Sequence, residues 1–369
     1  MKHANVIIIG AGLMGSSTAL CLARAGKRVF LLEKESHPCH ASAVNAGGVR
    51  QLNRALEEVP ISVAAMALWP RLNSMVGSDC GFHPVGQVRI APDDMGLSLF
   101  ETRIKKLQAL GFNHEELVTS AEIKKLIPTY CGSNKGGIVS RQDGHAMPAK
   151  TLRAFFNAAC LAGAKPFTRC RVMDISHGAN GFTICAEDGR IFHSEVVVNC
   201  AGAWGKQLAA RFNDPLPMTP TALSMMVTAR MPRFITPVVG VHGRKLSFKQ
   251  MDNGTVVIGG AHRAFLDMEK EKTTIDFSEM KKSAHTVVKH FPLMKQAKIV
   301  RCWAGIEGMM RDGLPVIDAS PTVSGLFHVC GFSAHGFQLS PMIGRLAASL
   351  VMGKQPELSL DAFSMKRFQ

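Results

Sequence analysis

The chain has 369 residues, of which 46% are hydrophobic and 19% are charged, and its formal net charge is +15. This composition excludes a disordered chain, and no apolar run reaches the roughly 18 residues that a membrane-spanning helix needs. The basic residues are dispersed and only 7% of residues are aromatic, which argues against nucleic acid and favours an anionic cofactor, a carboxylated substrate or an acidic partner subunit.

The ten cysteines are scattered through the sequence, and none belongs to a Cys-x-x-Cys pair. The histidines do not cluster at ligand spacing either. Because this pattern matches neither a disulfide framework nor a zinc or iron-sulfur site, we predict reduced thiols, a cytoplasmic location and no metal.

The first predicted element is a strand, loop, helix and strand unit that ends at Glu33. An apolar strand at 5–9 leads into Gly10-Ala11-Gly12-Leu13-Met14-Gly15, and a helix over about 13–25 is followed by a strand at 29–32. In this arrangement the helix N terminus and its positive dipole end face bound phosphates. Glu33 stands where an acidic side chain accepts both ribose hydroxyls of a dinucleotide and repels a 2′-phosphate. A secretory signal is the alternative for this apolar start, but no cleavage site follows it and it leaves Glu33 unexplained.

Each glycine of the first loop has a mechanical role. Gly10 permits the tight turn out of the strand, Gly12 lets the backbone approach a pyrophosphate, and Gly15 lets the helix pack closely on the sheet. Together with the flanking strands, these glycines predict a dinucleotide-binding site.

The rest of the chain alternates between helices and strands. A loop of small residues at 40–50 can lie against a flat ligand, and a buried strand runs into a glycine turn at 199–204. Prolines and β-branched runs between 215 and about 300 predict an antiparallel sheet. A late strand, a glycine loop at 331–338 and a helix from Ser340 repeat the opening order.

This order predicts an α/β fold with two domains interleaved in sequence. A Rossmann-like domain would bind the cofactor, and a second domain built on an antiparallel sheet would bind the substrate. We assign 1–80, 146–214 and 301–369 to the cofactor domain, and 81–145 and 215–300 to the substrate domain.

Several of these segments together resemble the D-amino-acid oxidase superfamily of FAD-dependent amine oxidoreductases, and the resemblance covers essentially the whole chain. They are the opening glycine loop and residues 45–50, 199–204, 305–315 and 331–338. The resemblance implies that the first and last glycine loops enclose one FAD, so that the Rossmann-like domain is an FAD-binding domain.

The resemblance also implies which residues contact FAD. Glu33 would bind the ribose, backbone near Val172 would meet the adenine, and the loops at 47–48, 309–310 and 331–338 would line the isoalloxazine. The expected cofactor-binding residues are Gly10, Ala11, Gly12, Met14, Gly15, Glu33, Lys34, Ser42, Asn45, Gly47, Gly48, Val172, Ala201, Gly202, Trp204, Met309, Gly331, His335, Gly336, Phe337 and Gln338.

Within the superfamily, Asn45-Ala46-Gly47-Gly48-Val49-Arg50 and Gly305-Ile306-Glu307-Gly308 are most similar to the β subunits of heteromeric enzymes. Those enzymes act on opines (octopine and nopaline), hydroxyproline, proline or sarcosine, and a related enzyme forms cyanide from glycine. The resemblance implies an amine or opine substrate and a second redox subunit as partner.

The sequence departs from these relatives at several positions. Glu307 stands where glycine-oxidising relatives carry an arginine for the substrate carboxylate, and Gln338 stands where monomeric sarcosine oxidases carry a lysine. The cysteine that tethers the flavin in those oxidases is absent near Met309, so we predict that FAD is bound noncovalently. Val257 aligns with the oxygen-activating lysine of oxidases, which predicts slow reaction with oxygen.

The candidate catalytic residues are Arg50, His262 and Glu307. Arg50 can clamp a substrate carboxylate by bidentate pairing, or it can form a salt bridge at the domain edge. Glu307 can face a cationic substrate arm, such as the guanidinium of an arginine-derived opine, or it can pair structurally with Arg301 or Arg311. His262 follows a strand end where relatives place polar groups against the substrate, and a surface histidine is the alternative.

Oxidation of an amine by flavin needs a neutral amine, a carbon held over flavin N5, and donors near N1 and O2. Backbone N–H groups at 336–338 and the following helix would provide those donors, while His335, Trp303 and Phe337 would pack around the cofactor or in the core. We therefore predict oxidation of the C–N bond of a secondary amine, an opine or an imino acid, to an imine that hydrolyses. The alternatives are an electron-relay flavin subunit without a substrate site, and a self-sufficient glycine, sarcosine or D-amino-acid oxidase that produces peroxide.

Overall fold

A computed structural model describes residues 2–368. Its α-helices are α1 (Leu13–Arg24), α2 (Ala41–Val44), α3 (Val59–Leu68), α4 (Leu72–Val76), α5 (Asp94–Ala109), α6 (Ser120–Leu126), α7 (Pro148–Leu161), α8 (Gly205–Ala210), α9 (Phe277–His290) and α10 (Gly336–Val351). Its strands are β1 (Lys2–Ile9), β2 (Val29–Leu32), β3 (Gly48–Val49), β4 (Gln87–Ala91), β5 (Glu116–Thr119), β6 (Gly136–Ser140), β7 (Gly144–His145), β8 (Lys165–Phe167), β9 (Val172–Gly178), β10 (Gly181–Ala186), β11 (Ile191–Asn199), β12 (Met218–Thr228), β13 (Val238–Val241), β14 (Ser247–Gln250), β15 (Val256–Asp267), β16 (Lys272–Thr274), β17 (Ile299–Met310), β18 (Val316–Ala319) and β19 (Leu326–Cys330). In this described part of the chain, none of the helices has the length and apolar character that a membrane crossing requires.

The first sheet has eight strands and forms the predicted Rossmann-like layer. Its main path runs in the order β18-β19-β11-β1-β2-β8, and β10 and β9 extend it from β11. The strands from β19 to β8 are parallel, and β2 is a fully buried apolar run, as expected of a strand covered on both faces. Helices α1, α7 and α10 share one apolar core with β1 and β2. The predicted opening unit of strand, helix and strand is therefore confirmed.

Two glycines let the helices of this layer pack closely. A Cβ at Gly15 would lie 1.9 Å from the carbonyl oxygen of Gly10, so α1 sits directly on the end of β1. A Cβ at Gly344 would lie 2.6 Å from Ser17, so α10 packs directly on α1. Only a residue without a side chain permits either contact.

The last helix begins at Gly336, four residues before the predicted start at Ser340. Pro341 lies inside α10 and has no N–H to donate to the carbonyl of Phe337. The hydroxyl of Ser340 donates to that carbonyl instead, at 2.9 Å. This local replacement lets the helix run through the proline and places its N terminus within the last glycine loop.

The second sheet has nine strands in the order β17-β12-β15-β14-β13-β4-β6-β5, with β16 beside β15. Its pairings are antiparallel except for the parallel pair β13 and β4, as predicted for the substrate-domain sheet. The pairing of β17 with β12 continues to Met310. The predicted domain boundary at 300 is therefore wrong, because residues 301–310 complete this sheet rather than the first one.

Candidate active site

A cavity of about 420 Å³ is lined by residues that directly follow β1, β2 and β11. These are the carboxyl ends of adjacent parallel strands, where ligands bind in open α/β sheets. Nine of the expected cofactor residues line it: Gly10, Gly12, Glu33, Lys34, Ser42, Val172, Ala201, Gly202 and Trp204. Ile306 of β17 also lines it, so both sheets contribute to one cavity.

The glycine loop forms a cradle of the right kind for a pyrophosphate. Gly10 has a φ of +99°, and a Cβ there would lie 2.4 Å from the carbonyl oxygen of Cys200. A Cβ at Gly12 would lie 2.9 Å from the hydroxyl of Ser42. No side chain of α1 caps its N terminus, and the Leu13 N–H donates to Ser42 Oγ at 2.9 Å. The next two N–H groups, of Met14 and Gly15, have no carbonyl partner within the helix, and such donors at a helix N terminus favour a bound phosphate.

The Glu33 carboxylate is held where the ribose of a dinucleotide would lie. Its two oxygens accept from the N–H groups of Ala11 and Glu35, each at 3.0 Å, and the side chain is buried. Each carboxylate oxygen keeps a further lone pair, so the group can still accept from two ribose hydroxyls. Val172, at the start of β9, lines the cavity as expected for the adenine end.

An ion cluster closes the rim of the cavity. Arg171 donates two hydrogen bonds of 2.8 Å to Glu271, and these bonds with Arg171, together with Lys34, lower the pKa of Glu271 to about 2. The Lys34 ammonium also lies 3.6 Å from the ring centre of Trp204. Neither Glu271 nor Arg171 was identifiable from the sequence, because Glu271 lies in the turn before β16 and Arg171 lies directly before β9, far apart in the chain.

The loop at 45–48 is braced by its own polar groups. Asn45 donates to the carbonyls of Ala41 and Ser42 and accepts from the Gly47 N–H at 2.7 Å. Its side chain therefore shapes the loop rather than extending into the cavity. The indole of Trp303 donates to the Val44 carbonyl at 2.7 Å, which anchors the same loop on β17.

The last glycine loop is attached to the end of β17. The Ser333 N–H donates to the Gly308 carbonyl at 3.2 Å, and the Met310 N–H donates to Ser333 Oγ at 3.0 Å. A Cβ at Gly331 would lie 2.5 Å from the Met310 sulfur, and one at Gly336 would lie 2.8 Å from Met14 Cε. The structure thus places Gly331 against Met310 and Gly336 against Met14, and sequence reasoning missed the linking role of Ser333.

His335, Phe337 and Gln338 were expected to contact the cofactor, but their side chains point at α3 and its flanking residues. The His335 ring lies 3.2 Å from the buried Glu58 carboxylate, and burial lowers the pKa of His335 to about 4. Phe337 packs 5.4 Å from the Trp69 ring, and Gln338 donates to the Ser62 carbonyl at 2.8 Å. These side chains support the loop, and only its backbone at the start of α10 stays available for a cofactor.

The prediction that His262 contacts the substrate is wrong. Its Nδ1 lies 3.1 Å from the Glu279 carboxylate on α9, and its Nε2 lies 3.2 Å from the Lys245 carbonyl. The side chain is buried between β15 and α9 with both ring nitrogens engaged. It therefore joins two elements of the substrate domain, and no nitrogen remains for catalysis.

Arg50 lies in a cluster of arginines rather than in a simple salt bridge. Its Nη1 donates to the carbonyls of Leu52 and Asn53 at 2.6 and 3.3 Å. Among residues 2–368, it forms no ion pair within 4.0 Å, although the charge of Asp143 favours its protonated form. Burial lowers the pKa of Arg50. The alternative of a salt bridge at the domain edge is therefore not supported.

Sequence reasoning missed two residues of this cluster: Arg54, whose buried Nη1 has no hydrogen-bond partner in the described part of the chain, and Arg89. Arg89 lies on β4, and burial next to the charges of Arg50 and Arg103 lowers its pKa. Its Nε is buried and has no hydrogen-bond partner in the described part of the chain. Arg103, by contrast, is bound to Glu115 at 2.7 Å. Arg89 therefore offers an unused cation beside the segment that follows the 45–48 loop.

Glu307 lies on the face of β17 that is turned towards Val44, the residue directly before the 45–48 loop. Gly305, two residues earlier on the same face, would place a Cβ 2.6 Å from Val44. Within residues 2–368, no ion pair joins Glu307 to Arg301 or Arg311, so that structural alternative is not observed. Burial raises the pKa of Glu307 to about 7, although the Ala334 N–H opposes this shift.

The family model for FAD dependent oxidoreductases (DAO) matches residues 5–350. The chain belongs to the DAO family. Glycine oxidase of Geobacillus kaustophilus is 27% identical over 98% of this chain and 97% of its own length, and a subunit of the opine oxidase of Rhizobium meliloti is 24% identical over 100% and 98%. The structure of L-proline dehydrogenase from P. horikoshii superposes with a TM-score of 0.92 at 23% identity, covering 100% of this chain and 98% of that one.

Family membership makes this DAO-family chain an FAD-dependent oxidoreductase that acts on the C–N bond of amines or amino acids. The resemblance noted in the sequence is confirmed. The cradle at Gly10 and Gly12, the Glu33 carboxylate and the open N terminus of α1 fit the pyrophosphate and ribose of FAD. When bound, FAD accepts a pair of electrons from the substrate carbon.

Replacing Glu307 by glutamine should raise the melting temperature at about pH 8 and leave it nearly unchanged at about pH 5. Folding lifts the pKa of Glu307 from its ordinary 4.5 to about 7, so the stability linked to this group is present below 4.5 and is lost as the pH rises through 7. Glutamine never ionises and avoids that loss. Thermal unfolding at the two pH values measures the effect, with the exposed Glu101 of α5 changed to glutamine as control. A Tm difference that does not change with pH would contradict the assignment.

Proposed function

We propose that this chain oxidises the C–N bond of a secondary amine that carries both a carboxylate and a cationic arm, as an opine such as octopine or nopaline does. The observation that carries this proposal is Glu307, a carboxylate on the face of β17 turned towards Val44, with no ion pair to Arg301 or Arg311 among the described residues. A guanidinium would supply the missing partner through a bidentate contact. A small amino acid without a cationic arm would leave this carboxylate unpaired.

The substrate carboxylate has a candidate partner in the arginine cluster. Arg89 has a buried Nε without a partner in residues 2–368, and Arg50, whose charge lowers the pKa of Arg89, binds only backbone carbonyls. Guanidinium groups match carboxylates geometrically. We assign Arg89 as the main carboxylate clamp and Arg50 as the second one, which refines the prediction made from the sequence.

In the reaction, this chain's own residues position the substrate and stabilise charge. Arg89 and Arg50 hold the carboxylate, and Glu307 holds the cationic arm, so that the reacting C–N bond lies between them. Helix α10 begins at Gly336, and its first backbone N–H groups and the positive end of its dipole would face the bound FAD. They stabilise negative charge as electrons arrive. The imine product then hydrolyses in water.

We propose a second subunit that accepts the electrons. The support is the full-length similarity to the opine oxidase relative, which is itself one subunit of an enzyme. Val257 of β15 stands where oxidases carry the lysine that activates oxygen, which is consistent with an acceptor other than oxygen. Isolated reduced protein that stays reduced in air for minutes would support this proposal.

A self-sufficient oxidase is the second candidate, and the full-length similarity to a glycine oxidase favours it. It makes two different predictions. The reduced chain would reoxidise rapidly in air with formation of peroxide, and glycine or sarcosine would be the better substrates. The electron-relay alternative predicts no reduction by any amine.

The test is an anaerobic substrate screen that follows bleaching of the visible flavin band. Octopine, nopaline, D- and L-proline, hydroxyproline, sarcosine and glycine are compared side by side. We expect octopine and nopaline to bleach the flavin fastest, and Glu307→Gln to remove their advantage over proline. If dithionite bleaches the flavin and none of these amines does, the proposal is wrong. If glycine is fastest and Glu307→Gln changes nothing, the second candidate replaces it.

A further inference from the structure

Lys249 is a buried lysine on β14. Only 3% of its surface is exposed, and its Nζ donates to the carbonyl of Ala46, directly before Gly47 and Gly48. Within residues 2–368, no carboxylate lies within ion-pair distance of it. Buried lysines without a counter-charge are rare in proteins. Neither the mechanism outlined above nor the sequence features account for this one.

The strand register shows that Lys249 faces the 45–48 loop. Lys249 pairs with Val257, and Ser247 pairs with Gly259 two residues along the same strands. Paired residues and residues two apart share one face of a sheet. A Cβ at Gly259 would lie 3.9 Å from the Cβ of Ala46, so this face looks onto the loop. Lys249 is therefore the direct strand partner of Val257, which stands where oxidases carry the oxygen-activating lysine.

A buried histidine and two valines flank Lys249, and the charges of His83, Asp252 and Arg233 also act on that histidine. From β7, the buried His145 pairs with Gly48, and both of its ring nitrogens have no hydrogen-bond partner among the described residues. Burial and the charge of Lys249 lower the pKa of His145 to about 3, so this ring is neutral near pH 7. On the other sides are Val257 of β15 and Val238 of β13.

The chemistry of the site follows from this setting. Burial lowers the pKa of Lys249 from its ordinary 10.5 to about 7, so a large fraction of the side chain is a free amine at neutral pH. A free amine accepts protons, whereas secondary amine substrates are ammonium ions in neutral water. An ammonium nitrogen has no lone pair with which to form a C=N bond.

We propose that Lys249 accepts the proton that the substrate ammonium must lose before its C–N bond is oxidised. One N–H bond of the substrate breaks and one N–H bond of the Lys249 ammonium forms, so the freed lone pair can form the C=N bond as the carbon gives up its hydride to FAD. This inference rests on the proposed amine oxidation. It assigns the acid–base step of that reaction to a residue of the substrate-domain sheet.

The kinetic test compares the pH dependence of anaerobic flavin reduction in the FAD-loaded protein. For the unchanged chain, the rate should rise with pH and level off above about 7. Lys249→Met should slow reduction roughly a hundredfold at neutral pH, a usual size for a lost general base. The deficit should shrink as the pH approaches the pKa of the substrate amine. Lys249→Arg should be equally slow, because a guanidinium cannot accept the proton. Lys272→Met, at an exposed position of β16, is the matched control.

A second measurement does not depend on turnover. In protein labelled with ¹³C at lysine Cε, one lysine resonance should titrate near pH 7, and it should disappear in Lys249→Arg but remain in Lys272→Met. Lysines that all titrate above about pH 9 would overturn the proposal, as would a Lys249→Met variant with an unchanged pH profile. If no amine bleaches the flavin but the resonance titrates near pH 7, the proposed function fails and the free amine of Lys249 stands.

Discussion

Replacing Gly12 by aspartate is expected to weaken FAD binding strongly and leave the protein folded. A Cβ at this position meets only the Ser42 side chain within 4 Å, and aspartate is a good N-cap for the helix that Gly12 begins. The new carboxylate would stand where the pyrophosphate binds. Repulsion of about 3 kcal/mol between these charges weakens FAD binding roughly a hundredfold. The measurements are the flavin absorbance of the purified variant and titration of the apoprotein with FAD.

A glycine outside the cavity provides the control for this experiment. Gly26 has a φ of +78°, and a Cβ there would meet no atom within 4 Å among the described residues. Asparagine tolerates that backbone conformation, so Gly26→Asn should keep its FAD. A Gly12→Asp protein that purifies with a full complement of FAD would contradict the position of the cofactor. If the Tm of the Gly12→Asp apoprotein falls, its loss of FAD binding results from unfolding and not from charge repulsion.

Arg89→Leu is expected to have the largest effect on substrate binding. Removing one partner of a buried charge pair costs about 2–4 kcal/mol, which corresponds to a rise in KM of roughly 30- to 1,000-fold. The free protein should lose no stability, because the Arg89 Nε is buried without a hydrogen-bond partner in the described chain. FAD content should also stay the same. The measurements are KM for octopine, flavin absorbance and Tm.

Two further variants separate recognition of the carboxylate from a general loss of charge. Arg141, in the turn after β6, is exposed and paired with Glu116 at 2.9 Å, so Arg141→Leu removes the same charge outside the site and should not change KM. Arg89→Lys should recover only part of the affinity, because an ammonium cannot form the bidentate contact. An unchanged KM in Arg89→Leu would remove Arg89 from the site, and Arg50 would then be the only clamp proposed.

The cofactor half of this protein could be predicted because its determinants are local in sequence. The turn at Gly10, the close helix contact at Gly15 and the carboxylate at Glu33 all lie within one strand, helix and strand unit. Their spacing reflects fixed backbone geometry. The structure accordingly places Gly10 and Glu33 at one cavity.

The substrate half depends on strand register, which short-range patterns do not specify. Whether Lys249 faces the 45–48 loop, and which face of β4 carries Arg89, are decided by pairings with residues far along the chain, and a shift of one residue reverses the face. His262 illustrates this limit. Its strand is irregular opposite β12 between Ser224 and Met226, so counting from the glycines of β15 did not give its direction.

The alternation of β17 separates two properties of this enzyme along a single strand. Ile306 lines the nucleotide cavity and a Cβ at Gly308 would approach Ala203, whereas Gly305 and Glu307 face the opposite side. If Glu307 binds the substrate as proposed, substitutions at the odd positions change substrate preference and leave the nucleotide cavity unchanged. Inserting one residue before Gly305 would exchange the two faces and lose both properties at once.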